Sequence, residues 1–262
     1  MRRILIFAYG LLAYAIGMAS LLYLAGWIAG VGVPRPLDGA PSLPWGQALA
    51  IDLGLLTLFA VQHSGMARPA FKRRWTRIVP AVAERSTFVL FSGLALIGFF
   101  VFWQPIGGSV WSVETPALRA LIWGLYGLGW SILVGSTFLL NHFDLFGLRQ
   151  VWLQLRGRPY TPPEFDMPLL YRYLRHPLYL GMLILLWSAP TMSLIHLIFA
   201  LGASGYILAA IQLEERDLLA AHPEYASYRR RVPMILPRLR DRLATEEGRR
   251  RLTLRPTPGG RT

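Results

Sequence analysis

Arg175-His176-Pro177-Leu178-Tyr179-Leu180-Gly181 opens a long apolar run of the 262-residue chain, and Glu214-Glu215 closes it. Arg, His and two adjacent acids at the edge of such a run are costly in lipid unless they are used. Pro177 suits the first turn of a helix, whose free N–H groups and dipole attract a carboxylate. Arg175 adds an ion pair for the same group. His176 offers a hydrogen bond, Tyr179 an aromatic face and Gly181 a close backbone approach. Glu214 and Glu215 accept hydrogen bonds from hydroxyls or from an ammonium. Tyr225 and Tyr228 suit either a lid over that pocket or a pair of interfacial aromatics. A basic helix start at the headgroups and a solvated helix end would use the same residue types with no ligand. The run has the length of a two-helix hairpin, whose ends come together in space, and that brings both motifs to one pocket.

Two further clusters fall at the ends of apolar runs. Gln62-His63-Ser64 ends the second, and Asp52 lies almost three whole turns earlier on the same helix face. Asn141-His142-Phe143-Asp144 ends the fourth, with Arg149 shortly after. His63, Asp144 and His142 are the candidate bases, and Gln62, Asn141 and Arg149 the candidate acceptor-binding residues. Helix capping and an Asp144–Arg149 pair are the structural alternatives. For Asp52 an interhelical strut is the better reading. Glu84-Arg85-Ser86-Thr87 reads locally as a capping region, and His196 as structural. Gly124, Gly127 and Gly129 lie inside an apolar helix with no preceding strand, so they mark close helix packing rather than a nucleotide loop.

These residues need a membrane frame. The chain is 54% hydrophobic and 16% charged, with nine Trp, thirteen Phe and eleven Tyr, more apolar surface than a soluble fold hides. Residues 4–30, 45–66, 86–107 and 117–141 each reach the roughly 20 residues that cross a bilayer. The fifth run, 177–213, is too long for one helix and breaks at 188–193, which predicts two shorter helices. The expectation is an all-α integral membrane fold of about six transmembrane helices, the last two a hairpin, with both termini cytoplasmic. One domain covers 1–237, its cofactor part about 143–237, and 238–262 is a basic, partly disordered tail. Within 143–173, Leu145, Phe146, Leu148, Val151, Trp152 and Leu155 mark an apolar side suited to an interfacial helix.

The net charge of +13 does not require nucleic acid. With the N-terminus inside, all of the 27 basic residues except Arg35 and Arg119 fall at the cytoplasmic side. That is the positive-inside pattern, and anionic lipid headgroups are the natural partners of the excess. The absence of cysteine excludes disulfides, thiolate metal sites and a thiol nucleophile; no metal site is expected.

The order R-H-P-x-Y-x-G, then E-E, then Y-x-x-Y, resembles the integral-membrane methyltransferases, which include the isoprenylcysteine and phospholipid enzymes. The resemblance extends to Gln62-His63-Ser64-Gly65-Met66-Ala67-Arg68-Pro69, Glu84-Arg85-Ser86-Thr87 and residues 143–150 in one branch, the bacterial methanethiol S-methyltransferases with their NnrU-type and nurim relatives. It implies S-adenosylmethionine as methyl donor, a small thiol as acceptor, and Arg175, His176, Tyr179, Gly181, Glu214 and Glu215 around the donor. It also implies a bacterial inner membrane, and the distribution of basic residues puts the site on its cytoplasmic side. A bulkier thiol or lipid acceptor, and a non-catalytic nurim-like role, remain the alternatives.

Overall fold

The structure is a computed structural model that describes residues 1–163 and 168–236. The predicted tail 238–262 lies outside the described residues. Ten α-helices are present among those described: α1 (Arg2–Ala29), α2 (Trp45–Ala67), α3 (Pro69–Trp75), α4 (Glu84–Phe102), α5 (Pro116–Leu139), α6 (His142–Leu145), α7 (Leu148–Leu155), α8 (Pro177–Trp187), α9 (Leu194–Ala221) and α10 (Tyr225–Arg231). Helices α1, α2, α4, α5 and α9 are long and apolar enough to cross a membrane. Their outward residues, such as Leu5, Leu22, Leu58, Val61, Phe102, Leu121 and Phe138, are large, apolar and exposed. A lipid environment makes that exposure favourable; water would not.

The last hydrophobic run does split into two helices, but the second is not short. Helix α8 has only 11 residues, about 16 Å, while α9 has 28, about 42 Å. The break is where expected, and its cause is local. Ser193 Oγ accepts from the His196 N–H at 3.0 Å and starts α9. The strand β2 (Thr191–Ser193) precedes it and pairs antiparallel with β1 (Ser109–Ser112). This two-stranded ribbon is an addition to the all-α expectation. It arises because two loops at one end of the helices leave unpaired backbone groups side by side, and such groups pair when shielded from water.

Helix α8 packs most closely along α5. A Cβ added at Gly129 would meet Gly181 O at 2.9 Å, and one added at Gly181 would meet Gly129 O at 2.7 Å. Only glycine allows backbones this close. Gly124 and Gly127 have open space around them, so the packing role belongs to Gly129 of the three.

Chain direction sorts the contacts into two ends. At one end Trp27, Phe99, Phe100, Trp103 and Phe199 form an aromatic cluster, with Trp27 and Phe199 edge to face at 5.2 Å. The 31–44 loop is tied there by Leu37 N–H to Trp27 O and by Trp103 Nε1–H to Leu37 O. Asp52 Oδ1 accepts from Gln104 N–H at 2.9 Å in the same region, the interhelical strut that was expected. At the other end, α1 meets α4 through Tyr9 and Thr87, and α7 lies on α1, with Val151 filling the notch left by Gly10. The chemistry-bearing residues gather at this second end.

Candidate active site

Four small assemblies make up this end. The first is a lock between α8, α9 and α10. Glu215 is 2% exposed, and its Oε1 takes Arg175 Nε–H at 2.6 Å, His176 Nε2 at 3.0 Å and the Tyr225 hydroxyl at 3.3 Å. Arg229 Nε lies 3.0 Å from Oε2. Arg175 Nη1 also donates to the carbonyls of Arg229 and Val232. The Arg175 and His176 backbone N–H groups bond Pro233 O and Met234 O. Tyr228 is buried and donates to Tyr171 O at 2.6 Å. Burial and the Glu215 charge push the Tyr225 hydroxyl far up, and burial pushes Tyr228 to about 12. Both are therefore neutral donors. Arg175, His176, Glu215, Tyr225 and Tyr228 thus come to one place; Arg175, His176 and Tyr225 converge on Glu215, and Tyr228 bonds the Tyr171 carbonyl. Pro177 stands at the first position of α8, which no side chain caps. Gly181 turns its bare face to α5 rather than into this cluster.

The second assembly joins α2, α8 and α9. Tyr179 Oη donates to Glu214 Oε2 at 2.9 Å, and Glu214 is half-buried. Its other oxygen has no hydrogen-bond partner among the described residues. Ser64 Oγ and Tyr206 Oη lie 3.1 Å apart. Arg68 pairs with Asp217 at 2.9 Å and also donates to Leu213 O and Ser64 O. Tyr206 and Asp217 were not singled out from the sequence, and Ser64 and Arg68 stood in its motifs without a role of their own. An arginine just past α2 and a tyrosine inside an apolar helix were the available signal.

The third assembly surrounds His63. Its Nδ1 lies 3.0 Å from Ser92 Oγ. The ring stacks on Phe59 at 5.2 Å and tilts against Phe88 at 4.8 Å. Gln62 donates to Met66 Sδ, and its Oε1 is buried without a partner. Arg85 reaches the same place from α4, with Nε–H on Leu145 O at 2.6 Å and its guanidinium 5.0 Å from the Phe88 centroid.

The fourth assembly is centred on α6, and its members are committed locally. His142 is buried, with Tyr14 Oη at 2.8 Å from Nε2 and Thr137 Oγ1 at 2.8 Å from Nδ1. It stacks on Phe138 at 4.4 Å. Burial holds its pKa below the usual histidine value. Asn141 has φ 71°, and its side chain caps α6 by accepting from Asp144 N–H. Asp144 pairs with Arg149 at 2.8 Å and accepts from Tyr160 at 3.2 Å. Arg149 also donates to Thr161 O and lies under the Tyr160 ring. Of the three base candidates, His63 keeps a ring nitrogen without a hydrogen-bond partner among the described residues; both His142 nitrogens have partners.

Methanethiol S-methyltransferase of Mycobacterium tuberculosis is 49% identical over 238 residues, covering 90% of this chain and 98% of the relative. The enzyme of the same name from Crocosphaera subtropica is 47% identical over 236 residues, covering 90% and 92%. The chain belongs to the methanethiol S-methyltransferase family. Nurim of Xenopus laevis is more distant, 30% identical over 201 residues and 69% of each chain. No protein-family model matches the chain, and no solved structure matches it.

For a member of the methanethiol S-methyltransferase family, the second and third assemblies are the chemically open ones. Glu214 has an oxygen to give, Tyr179 and Tyr206 offer aromatic faces, and His63 has an unused nitrogen. The lock behind them fixes where α8, α9 and α10 begin and end.

Proposed function

We propose that this protein methylates methanethiol on sulfur, with S-adenosylmethionine as donor, in a membrane and from its cytoplasmic face. The products are dimethyl sulfide and S-adenosylhomocysteine. The observation that carries the reading is a match over 98% of a methanethiol S-methyltransferase, with Glu214 and His63 left open at the same end of the helices.

The residues fit a cationic donor. S-adenosylmethionine supplies an electrophilic methyl on a sulfonium. A half-buried carboxylate with a vacant oxygen, Glu214, suits its ammonium or ribose hydroxyls. The faces of Tyr179 and Tyr206 suit a cation. The uncapped start of α8 leaves N–H groups for its carboxylate. Arg175, His176 and Glu215 position this frame from behind. His63, walled by Phe59 and Phe88, faces the acceptor side, where a small apolar thiol needs little room. The reaction is an in-line displacement at carbon, so alignment supplies most of the rate. The residues' task is to hold sulfur against methyl and exclude water.

The test is direct. Purified protein in lipid nanodiscs, given S-adenosylmethionine and methanethiol, is expected to release dimethyl sulfide into the headspace, detected by gas chromatography. Binding of the donor without product from methanethiol would point to another acceptor. No binding of the donor at all would favour a non-catalytic role of the kind open for nurim.

A further inference from the structure

Arg85 is an anchored cation with no ion-pair partner among the described residues. It sits in the first turn of α4, held by Leu145 O at 2.6 Å and by the Phe88 ring at 5.0 Å. Among the described residues no carboxylate lies within ion-pair distance of it, and its terminal nitrogens have no hydrogen-bond acceptor. A partly covered guanidinium ordinarily finds a partner.

The charges around it are spoken for or set back. Glu84 is on its own helix, Asp144 on α6, Glu214 on α9 and Tyr160 in the loop after α7. Lys72 of α3 and His63 of α2 are the neighbouring bases. Asp144 is engaged by Arg149 and Tyr160, and Glu214 by Tyr179. The His63 ring lies 4.8 Å from the same Phe88 centroid, within the field of the Arg85 charge. A fixed cation, an imidazole nitrogen with no partner and two phenyl faces therefore meet in one place. Hard anions such as carboxylates prefer several N–H donors. A small soft anion with apolar substituents suits this mixture better.

We propose that Arg85 holds the acceptor sulfur as its thiolate, with His63 Nε2 receiving the thiol proton. This rests on the methanethiol reading above. The thiol S–H bond breaks and its proton passes to His63. The sulfur lone pair then forms the new S–CH3 bond, while the donor's methyl–sulfur bond breaks and its electron pair stays on the donor sulfur. His63 afterwards returns the proton to water. Nδ1 lies 3.0 Å from Ser92 Oγ; the step uses the tautomer that donates Nδ1–H to this hydroxyl, which leaves Nε2 with a lone pair. An opposite charge at contact distance raises the ionised fraction of an acid about 10- to 1,000-fold, and neutral pH leaves a free alkanethiol mostly protonated.

The experiment uses the full chain in nanodiscs and reads three quantities. Thiocyanate, a small soft anion, is expected to inhibit the wild type competitively with methanethiol and not with S-adenosylmethionine. Arg85→Gln is expected to lower kcat/KM for methanethiol by about 10- to 1,000-fold at neutral pH, to recover as pH rises, and to lose thiocyanate inhibition. Its donor affinity by calorimetry stays within about twofold of wild type. Arg85→Lys keeps the charge and is expected to keep thiocyanate competition. Wild type that makes dimethyl sulfide but ignores thiocyanate overturns the role of Arg85 whether or not the variants fold. So does Arg85→Gln with full activity, or with donor affinity lost and the pH profile unchanged, which would make Arg85 a donor-carboxylate anchor. Loss of competition in Arg85→Lys overturns it as well. Wild type that makes no dimethyl sulfide removes the functional reading itself, and this proposal with it.

Discussion

At the scale of single residues, adjacent glutamates have opposite situations. Glu215 is buried and surrounded by Arg175, His176, Arg229 and Tyr225. Glu214, one residue earlier, has Tyr179 as its hydrogen-bond partner among the described residues. Breaking a buried pair leaves an uncompensated charge and costs about 3–5 kcal/mol. Arg175→Ala is therefore expected to lower the thermal unfolding midpoint markedly in nanodiscs, and to weaken donor binding as a consequence. Glu214→Gln is expected to leave that midpoint almost unchanged and to weaken S-adenosylmethionine binding. The loss of one charge-assisted hydrogen bond corresponds to about 1.5–3 kcal/mol by calorimetry. Normal donor affinity in Glu214→Gln would exclude Glu214 from the donor site. An unshifted midpoint in Arg175→Ala would show that the ion cluster carries no stability. The spacing from Arg175 to Glu215 showed that these groups meet. It could not show that they satisfy one another, because a carboxylate's choice between a ligand and a neighbouring arginine depends on distances that only the folded chain sets.

At the scale of elements, the short helices carry the site's precision. Helix α6 is four residues long, and its place depends on His142 bonding Tyr14 of α1 and Thr137 of α5. Burial lowers the His142 pKa, so between that lowered value and about 6.5 the unfolded chain binds more protons than the folded one. Stability linked to His142 is present above pH 6.5 and is lost as pH falls below it. The midpoint of the wild type is expected to fall between pH 7 and pH 5 by more than that of His142→Gln. Equal pH slopes in the two proteins would remove His142 from this role. The long spans were legible because their apolar length is a gross property of the chain. The unequal pair α8 and α9 was not, since the end of α8 is set by the β1–β2 ribbon and by contact with α5, both non-local. The Gly129–Gly181 crossing makes a second expectation. Gly129→Val would drive a side chain into the α8 backbone at 2.9 Å, and is expected to lower the yield of folded protein far more than Gly124→Val, where space is open. Equal yields would show that α8 shifts freely along α5.

At the scale of the whole molecule, charge and chemistry share an end. Arg68, Lys72, Arg73, Arg74 and Arg77 follow α2, and Arg149, Arg156 and Arg158 follow α5, at the end that holds His63, Glu214 and the lock. Arg35 and Arg119 stand at the opposite end, where Arg35 bonds Val101 O and Arg119 bonds Val113 O. Cationic loops are retained on the cytoplasmic side, which is also where a charged, water-soluble methyl donor is found. Helix α9, at about 42 Å, exceeds the roughly 30 Å of hydrocarbon. Its final turns, with Glu214 and Asp217, therefore reach the headgroup layer, and Arg68 meets Asp217 there. The orientation can be read chemically, because the chain has no cysteine. Single cysteines at exposed Arg77 and Ala40, made as Arg77→Cys and Ala40→Cys, report on the two sides without background. A membrane-impermeant maleimide on intact cells is expected to label Ala40→Cys, and to label Arg77→Cys only after the membrane is opened. Labelling of Arg77→Cys in intact cells would invert the orientation. It would also place Glu214 and His63 away from the cytoplasmic pool of methyl donor, leaving the site no source for the group it transfers.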